Sequence, residues 1–165
     1  MSTAKRVLMV LTNAGSFPGG EDGSAGWYLP ECAHPYARFV NAGFTIEFAS
    51  PTGGVTTVCK ASVDLTDAEN KAFWENNDLI ALTQNTKVLS ECIETDYDIL
   101  FFVGGFGVMF DFPLDASVQR LAREFHESDK IVGAVCHGPI AFAVSSSVAR
   151  YSLYIYHYHL IDILI

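Results

Sequence analysis

With 165 residues, half of them hydrophobic and 18% charged, the chain has the size and apolar content of one globular domain rather than a disordered segment. Its formal charge of −9 works against nucleic acid and anionic membrane surfaces as partners, since both would repel it. Cys32, Cys59, Cys92 and Cys136 stand far apart with no CxxC pair, which suits reduced thiols in a cytoplasm better than a disulfide framework or a zinc site.

Lys5-Arg6 precedes the apolar run Val7-Leu8-Met9-Val10-Leu11, which is shorter than a secretory core and reads as a buried strand over 7–12. A glycine-dense loop follows at 13–26; it lacks GK[ST] or a proper GxGxxG, so phosphate binding is not expected. A helix is predicted over 29–41, with Pro35 marking a kink or a late start. Residues 44–49 alternate like a strand and stop at Ser50-Pro51-Thr52-Gly53-Gly54. Thr66 and Glu69 fit a capping box that opens a helix toward Trp74. Between Asn77 and Glu94 the pattern is weaker, and a short helix is expected around 88–93.

Residues 98–103, "DILFFV", form a continuous apolar run ending in Gly104-Gly105, the signature of a strand buried on both faces. Asp115 is placed to cap a helix whose Val118, Leu121, Ala122 and Phe125 share one face. Another buried strand is expected over 131–135. Alternating strands and helices imply a doubly wound, mostly parallel α/β sheet with helices on both faces. Functional sites in such sheets lie at the carboxyl ends of the strands, where Gly104-Gly105 and Cys136 both fall.

Ala134-Val135-Cys136-His137-Gly138 has a small residue two places on either side of the cysteine. That is the pattern of a nucleophile elbow, in which a sharp strand-to-helix turn presents the central side chain at the sheet edge. The start of the next helix would favour thiolate over thiol, and the His137 N–H would serve as an oxyanion donor. Pro139 is tolerated in the first helical turn, where its missing N–H has no partner to lose. Whether the His137 imidazole reaches the sulfur is open at this level, because adjacent side chains at a tight turn usually point apart.

Four blocks in order, "KRVLMVLTNAG", "GWYLPECAHPYARFVNAGFTIEFASPTGG", "FFVGGFGVMFDFP" and "AVCHGPIAF", resemble the ThiJ/PfpI superfamily, which is similar to class I glutamine amidotransferases. They look most like its glutathione-independent glyoxalase III and stress-chaperone branch. The resemblance implies a flavodoxin-like fold, usually in homodimers, and a cytoplasmic lyase or D-lactate dehydratase converting methylglyoxal, a small 2-oxoaldehyde, to lactate. It implies Cys136 as nucleophile, His137 beside it, and Glu31 of "LPECAHP" as the essential carboxylate. Gly104, Gly105 and Phe106 would form the pocket wall and oxyanion site, with no metal, glutathione or other cofactor. Competing readings are a non-catalytic holdase chaperone or cysteine redox sensor, and a cysteine amidase or peptidase.

The chain departs from the branch in two places. Its "GGHG" reads Gly104-Gly105-Phe106-Gly107, so an aromatic ring stands where the branch has an imidazole. After about Val144 the resemblance dissolves, so the expectation is a partial domain at 1–148, incomplete at its C-terminal end, followed by a divergent apolar tail at 149–165. The tail is too short to span a bilayer; no membrane segment is expected. His157 and His159 share one strand face, but no third ligand is suitably spaced for a metal, and Asp162 has no motif that would make it the partner of His137.

Overall fold

The computed structural model describes residues 5–143. Five parallel strands form one sheet: β1 (Arg6–Val10), β2 (Thr45–Ser50), β3 (Lys87–Val88), β4 (Ile99–Phe102) and β5 (Ile131–Ala134), in the order β3-β2-β1-β4-β5. Strand β1 is central, pairing Val7 with Ile46 on one side and with Ile99 on the other. The helices are α1 (Leu29–Asn41), α2 (Ala68–Trp74), α3 (Asn77–Gln84), α4 (Val108–Asp111) and α5 (Ala116–Glu127).

Alternation along the strands divides the core in two. Val7, Met9, Leu11, Ile99 and Phe101 pack with Leu29, Cys32 and Phe39 of α1 and with Phe73 of α2. Leu8, Val10, Leu100 and Phe102 pack instead with Val118, Leu121, Ala122 and Phe125 of α5. A sheet covered on both faces needs apolar side chains at every position of its inner strands, which is why β1 and β4 read as unbroken hydrophobic runs. This is the doubly wound arrangement that the residue pattern implied, in the flavodoxin-like form that the resemblance implied.

Asp115 caps α5 as expected, its carboxylate accepting from the Ser117 and Val118 N–H groups. Elsewhere the local readings shift. The α2 cap is Asp67 rather than Thr66: Asp67 accepts from the Asn70 N–H, while the Thr66 hydroxyl donates to Asp64. The short helix expected around 88–93 is a three-residue 3-10 helix at Leu89–Glu91; the two residues of β3 precede it and extend the sheet, and a second 3-10 helix, Glu94–Asp96, follows. The long α1 tolerates Pro35 within it. The boundary at 148, the tail at 149–165, and with it His157, His159 and Asp162, lie outside the described residues. No described helix is long and apolar enough to cross a membrane.

Candidate active site

Strand β5 ends one residue before a closed turn. The Val135 N–H donates to the Phe102 carbonyl at 3.2 Å, and the Gly138 N–H donates to the Val135 carbonyl at 2.7 Å. Between them Cys136 is held at a φ of 54°, a left-handed conformation that costs a non-glycine residue about 1–3 kcal/mol. A Cβ on Gly138 would lie 2.6 Å from the Phe102 oxygen and 3.4 Å from the Ala134 Cβ, so the small residues flanking the cysteine are steric requirements of the turn. The chain then enters a 3-10 helix, Gly138–Phe142, with Pro139 in its first turn. Cys136 is exposed, whereas Cys32, Cys59 and Cys92 are buried.

Glu31 reaches the same edge from the first turn of α1. Tyr28 donates its N–H to the Gly104 carbonyl at 3.2 Å, tying the start of α1 to the end of β4. The Leu29 N–H is taken by the Ser62 hydroxyl oxygen at 2.9 Å, and that hydroxyl donates in turn to the Cys59 carbonyl at 2.6 Å. Pro35 cannot donate to the Glu31 carbonyl one turn before it.

Gly104 is the meeting point. A Cβ there would strike Glu31 Oε2, and would stand 2.5 Å from the Val135 oxygen and 3.0 Å from the Cys136 Cβ. The carboxyl and the cysteine therefore converge over a bare Cα that no other residue type would leave free.

That convergence sets the electrostatics. Burial raises the Glu31 carboxyl to about 7, and the Cys136 thiol, which interacts with it, offsets only part of the rise. Glu31 Oε2 is buried without a well-aligned hydrogen bond. Burial likewise pushes the Cys136 thiol up to about 11, and the Glu31 carboxylate pushes in the same direction. The N–H groups of His137 and Gly105 act the other way, favouring negative charge on the sulfur. The expectation of a thiolate favoured by the helix start is thus corrected: near pH 7 the resting pair is a thiol beside a carboxyl close to half-ionised. The flanking turn is a 3-10 segment of five residues, too short to offset desolvation and a neighbouring acid.

The question left open for His137 is answered by geometry. Its Nδ1 lies 3.1 Å from Cys136 Sγ, within reach of the thiol proton when Nδ1 is unprotonated. The Phe106 ring lies over the imidazole with centroids 4.7 Å apart and planes 37° apart. Of the phenylalanines between 101 and 112, Phe101, Phe102 and Phe112 are buried, while Phe106 and Phe110 are exposed. Among the described residues no group of three or more His, Cys, Asp or Glu side chains could hold a metal ion.

Two positions that support the site escape a reading by motif. Asp111 accepts from the Thr12 hydroxyl at 2.7 Å and the Asn13 N–H at 2.8 Å, anchoring the loop after β1 to α4. Burial raises its carboxyl above the usual range despite these bonds. Its signal was an acid inside the apolar run Met109-Phe110-Asp111-Phe112, since buried carboxyls persist only where something holds them. Ser62 offered no such signal, because it acts on a helix start 33 residues away in sequence.

A flavodoxin-like sheet with a strained cysteine in the turn after β5, an adjacent histidine and a carboxyl across Gly104 defines an α/β protein of the nucleophile-elbow class. The DJ-1/PfpI family model matches residues 26–153, and the chain belongs to that family. It is similar to a glutathione-independent glyoxalase of Schizosaccharomyces pombe, with 34% identity over 77% of this chain and 53% of the relative. Among solved structures it is similar to the Rapid Encystment Protein of Francisella tularensis, at 30% identity and a TM-score of 0.77 over 84% of this chain and 61% of that one. It is also similar to glyoxalase III of Candida albicans, at 31% identity and a TM-score of 0.71 over 84% of this chain and 59% of that one. The chain spans little more than half the length of the curated relatives it matches.

Proposed function

We propose that this chain is a glutathione-independent glyoxalase III-type lyase that converts a small 2-oxoaldehyde such as methylglyoxal to the corresponding 2-hydroxy acid, in a cytoplasmic setting that keeps its thiols reduced. The observation that carries the reading is the Glu31 carboxyl, raised to about 7, against the Cys136 thiol over Gly104. A proton-shuttling group works best when its pKa lies near the operating pH, and a carboxyl in water would be too weak a base for this step.

The sulfur of Cys136 attacks the aldehyde carbon C1 while its proton passes to His137 Nδ1, giving a hemithioacetal. The C1 oxyanion is held by the N–H groups of Gly105 and His137, the donors already directed at the sulfur. Glu31 removes the C1 proton to form an enediol and returns it to C2, while the proton held on His137 Nδ1 passes to the C2 oxygen. C1 is thereby oxidised to a thioester and C2 reduced to an alcohol, so the electrons balance within the substrate. Water then cleaves the thioester, restoring the thiol and releasing the hydroxy acid; the net change is addition of one water.

The test is lactate formation from methylglyoxal without glutathione. Turnover by the wild type, abolished in Cys136→Ala and reduced at least about a hundredfold in Glu31→Gln, supports the lyase. A folded wild type without turnover, or one whose turnover survives Cys136→Ala, overturns it. Suppression of client aggregation by such an inactive wild type would favour the holdase reading instead.

A further inference from the structure

Three phenylalanines linked by ring contacts lead to the histidine beside the reactive sulfur and are used by no step above. Phe17 comes from the loop after β1, and its ring lies 5.6 Å from that of Phe106 and 5.9 Å from that of Phe110. Phe106 continues the contact onto the His137 imidazole at 4.7 Å, and His137 Nδ1 is 3.1 Å from Sγ. The contacts therefore run from Phe17 to the nucleophile without interruption. All three residues are exposed, at 39%, 48% and 38% relative accessibility. Isolated exposed apolar residues are ordinary on a protein surface, but contiguous rings abutting a nucleophile form a patch with a use.

We propose that Phe17, Phe106 and Phe110 form a subsite for the acyl substituent of the substrate, selecting 2-oxoaldehydes that carry an aromatic or bulky apolar group. This rests on the lyase reading for the reaction, and adds to it the substrate class. In the proposed pose, with the aldehyde carbon at Sγ, the substituent lies past the imidazole against Phe106 and Phe17, along the contacts that join them. A methyl group leaves most of those ring faces wet. A phenyl group covers them, in the tilted or edge-on packing that aromatic pairs prefer at centroid separations of about 4.5–7 Å. The rings offer no donor or acceptor, so a polar or charged substituent would lose its hydration there without replacement.

The experiment compares phenylglyoxal with methylglyoxal as substrates without glutathione, reading the ratio of their kcat/KM values. In parallel, calorimetry measures binding of the products, mandelate and lactate. Phe17 lies on an exposed loop, so Phe17→Ala leaves the core intact. The expected result is a phenylglyoxal-to-methylglyoxal ratio that falls about tenfold in Phe17→Ala and is largely kept in Phe17→Leu, the scale on which apolar pockets discriminate. Mandelate should bind about tenfold tighter than lactate in the wild type, a preference that Phe17→Ala removes. A ratio insensitive to Phe17, with equal binding of the two acids, overturns the subsite while leaving the lyase standing. If neither aldehyde turns over but mandelate keeps its Phe17-dependent preference, the lyase fails and the subsite stands. If mandelate does not bind preferentially and neither aldehyde reacts, both fall.

Discussion

Two glutamates, one at each region of the sheet, have opposite fates. Glu47 on β2 is also partly buried, which would raise its carboxyl, but hydrogen bonds from Lys87, Tyr97 and Arg6 win and hold it at about 2. The Tyr97 hydroxyl donates to its Oε2 at 2.8 Å, and Lys87 and Arg6 pair with it as well. Glu31 is buried without a cation and rises to about 7. The difference lies in the company kept, not in the residue type: one region satisfies its charges, and the region at the strands' carboxyl ends leaves a proton to be contested between an acid and a thiol. Groups held away from their ordinary protonation cluster where chemistry is done.

The strongest way to break this contrast is Gly104→Ala. The added methyl displaces the Glu31 carboxyl from Cys136, and a displacement of about 1 Å lowers turnover about a hundredfold. Steady-state kinetics on the folded variant measures it, and near-normal turnover would show that the pair need not meet over that Cα.

Glu31→Gln sharpens the contrast through stability. A carboxyl raised from 4.5 to about 7 binds its proton more tightly in the native state, so wild-type stability falls as pH climbs from about 4.5 through 7. The full cost above pH 7 is about 3 kcal/mol at 1.36 kcal/mol per unit. Denaturant unfolding at pH 5 and pH 8 should show this slope in the wild type and its loss in Glu31→Gln. The same variant removes a negative neighbour from the sulfur, so the midpoint of the pH profile for Cys136 alkylation should move down from about 11.

Asp111→Ala removes the acceptor for Thr12 and Asn13 and should cost about 2 kcal/mol, read as a lower Tm. The smallest effect is expected from Glu47→Gln. Its partners are partly exposed, and screening by water discounts what its depressed carboxyl would otherwise contribute at neutral pH. Because the native Glu47 carboxyl is depressed, its contribution is present above pH 4.5 and lost as pH falls toward 2, so the variant should flatten the acid limb of the unfolding profile.

Much of this framework was legible in the residues. Unbroken apolar runs marked β1 and β4, and the 3.6-residue spacing after Asp115 marked α5, because both patterns follow from which faces are buried. Small residues around Cys136 announced the turn. What escaped was set by distance along the chain. Strand β3 has only two residues, too few for any period to show. The cap on α1 is Ser62, brought there by a loop. Asp67 displaced Thr66 as a cap because Thr66 turns back to Asp64, a competition between adjacent polar side chains that spacing alone does not resolve. The downward pull expected on the Cys136 thiol is outweighed for a related reason: desolvation and the Glu31 charge are properties of the assembled cleft.

The side chains gathered at the cleft come from separate stretches of the chain: Phe17 from the loop behind β1, Glu31 from α1, Phe106 from the turn beyond β4, and Cys136 from the turn beyond β5. On the proposed subsite, reactivity and substrate contact are encoded in separate chain segments joined only by folding. Libraries confined to Phe17 and its exposed neighbours would then vary selectivity while leaving Asn13, Gly26 and the sulfur with its acid in place, which makes this scaffold a favourable starting point for laboratory evolution.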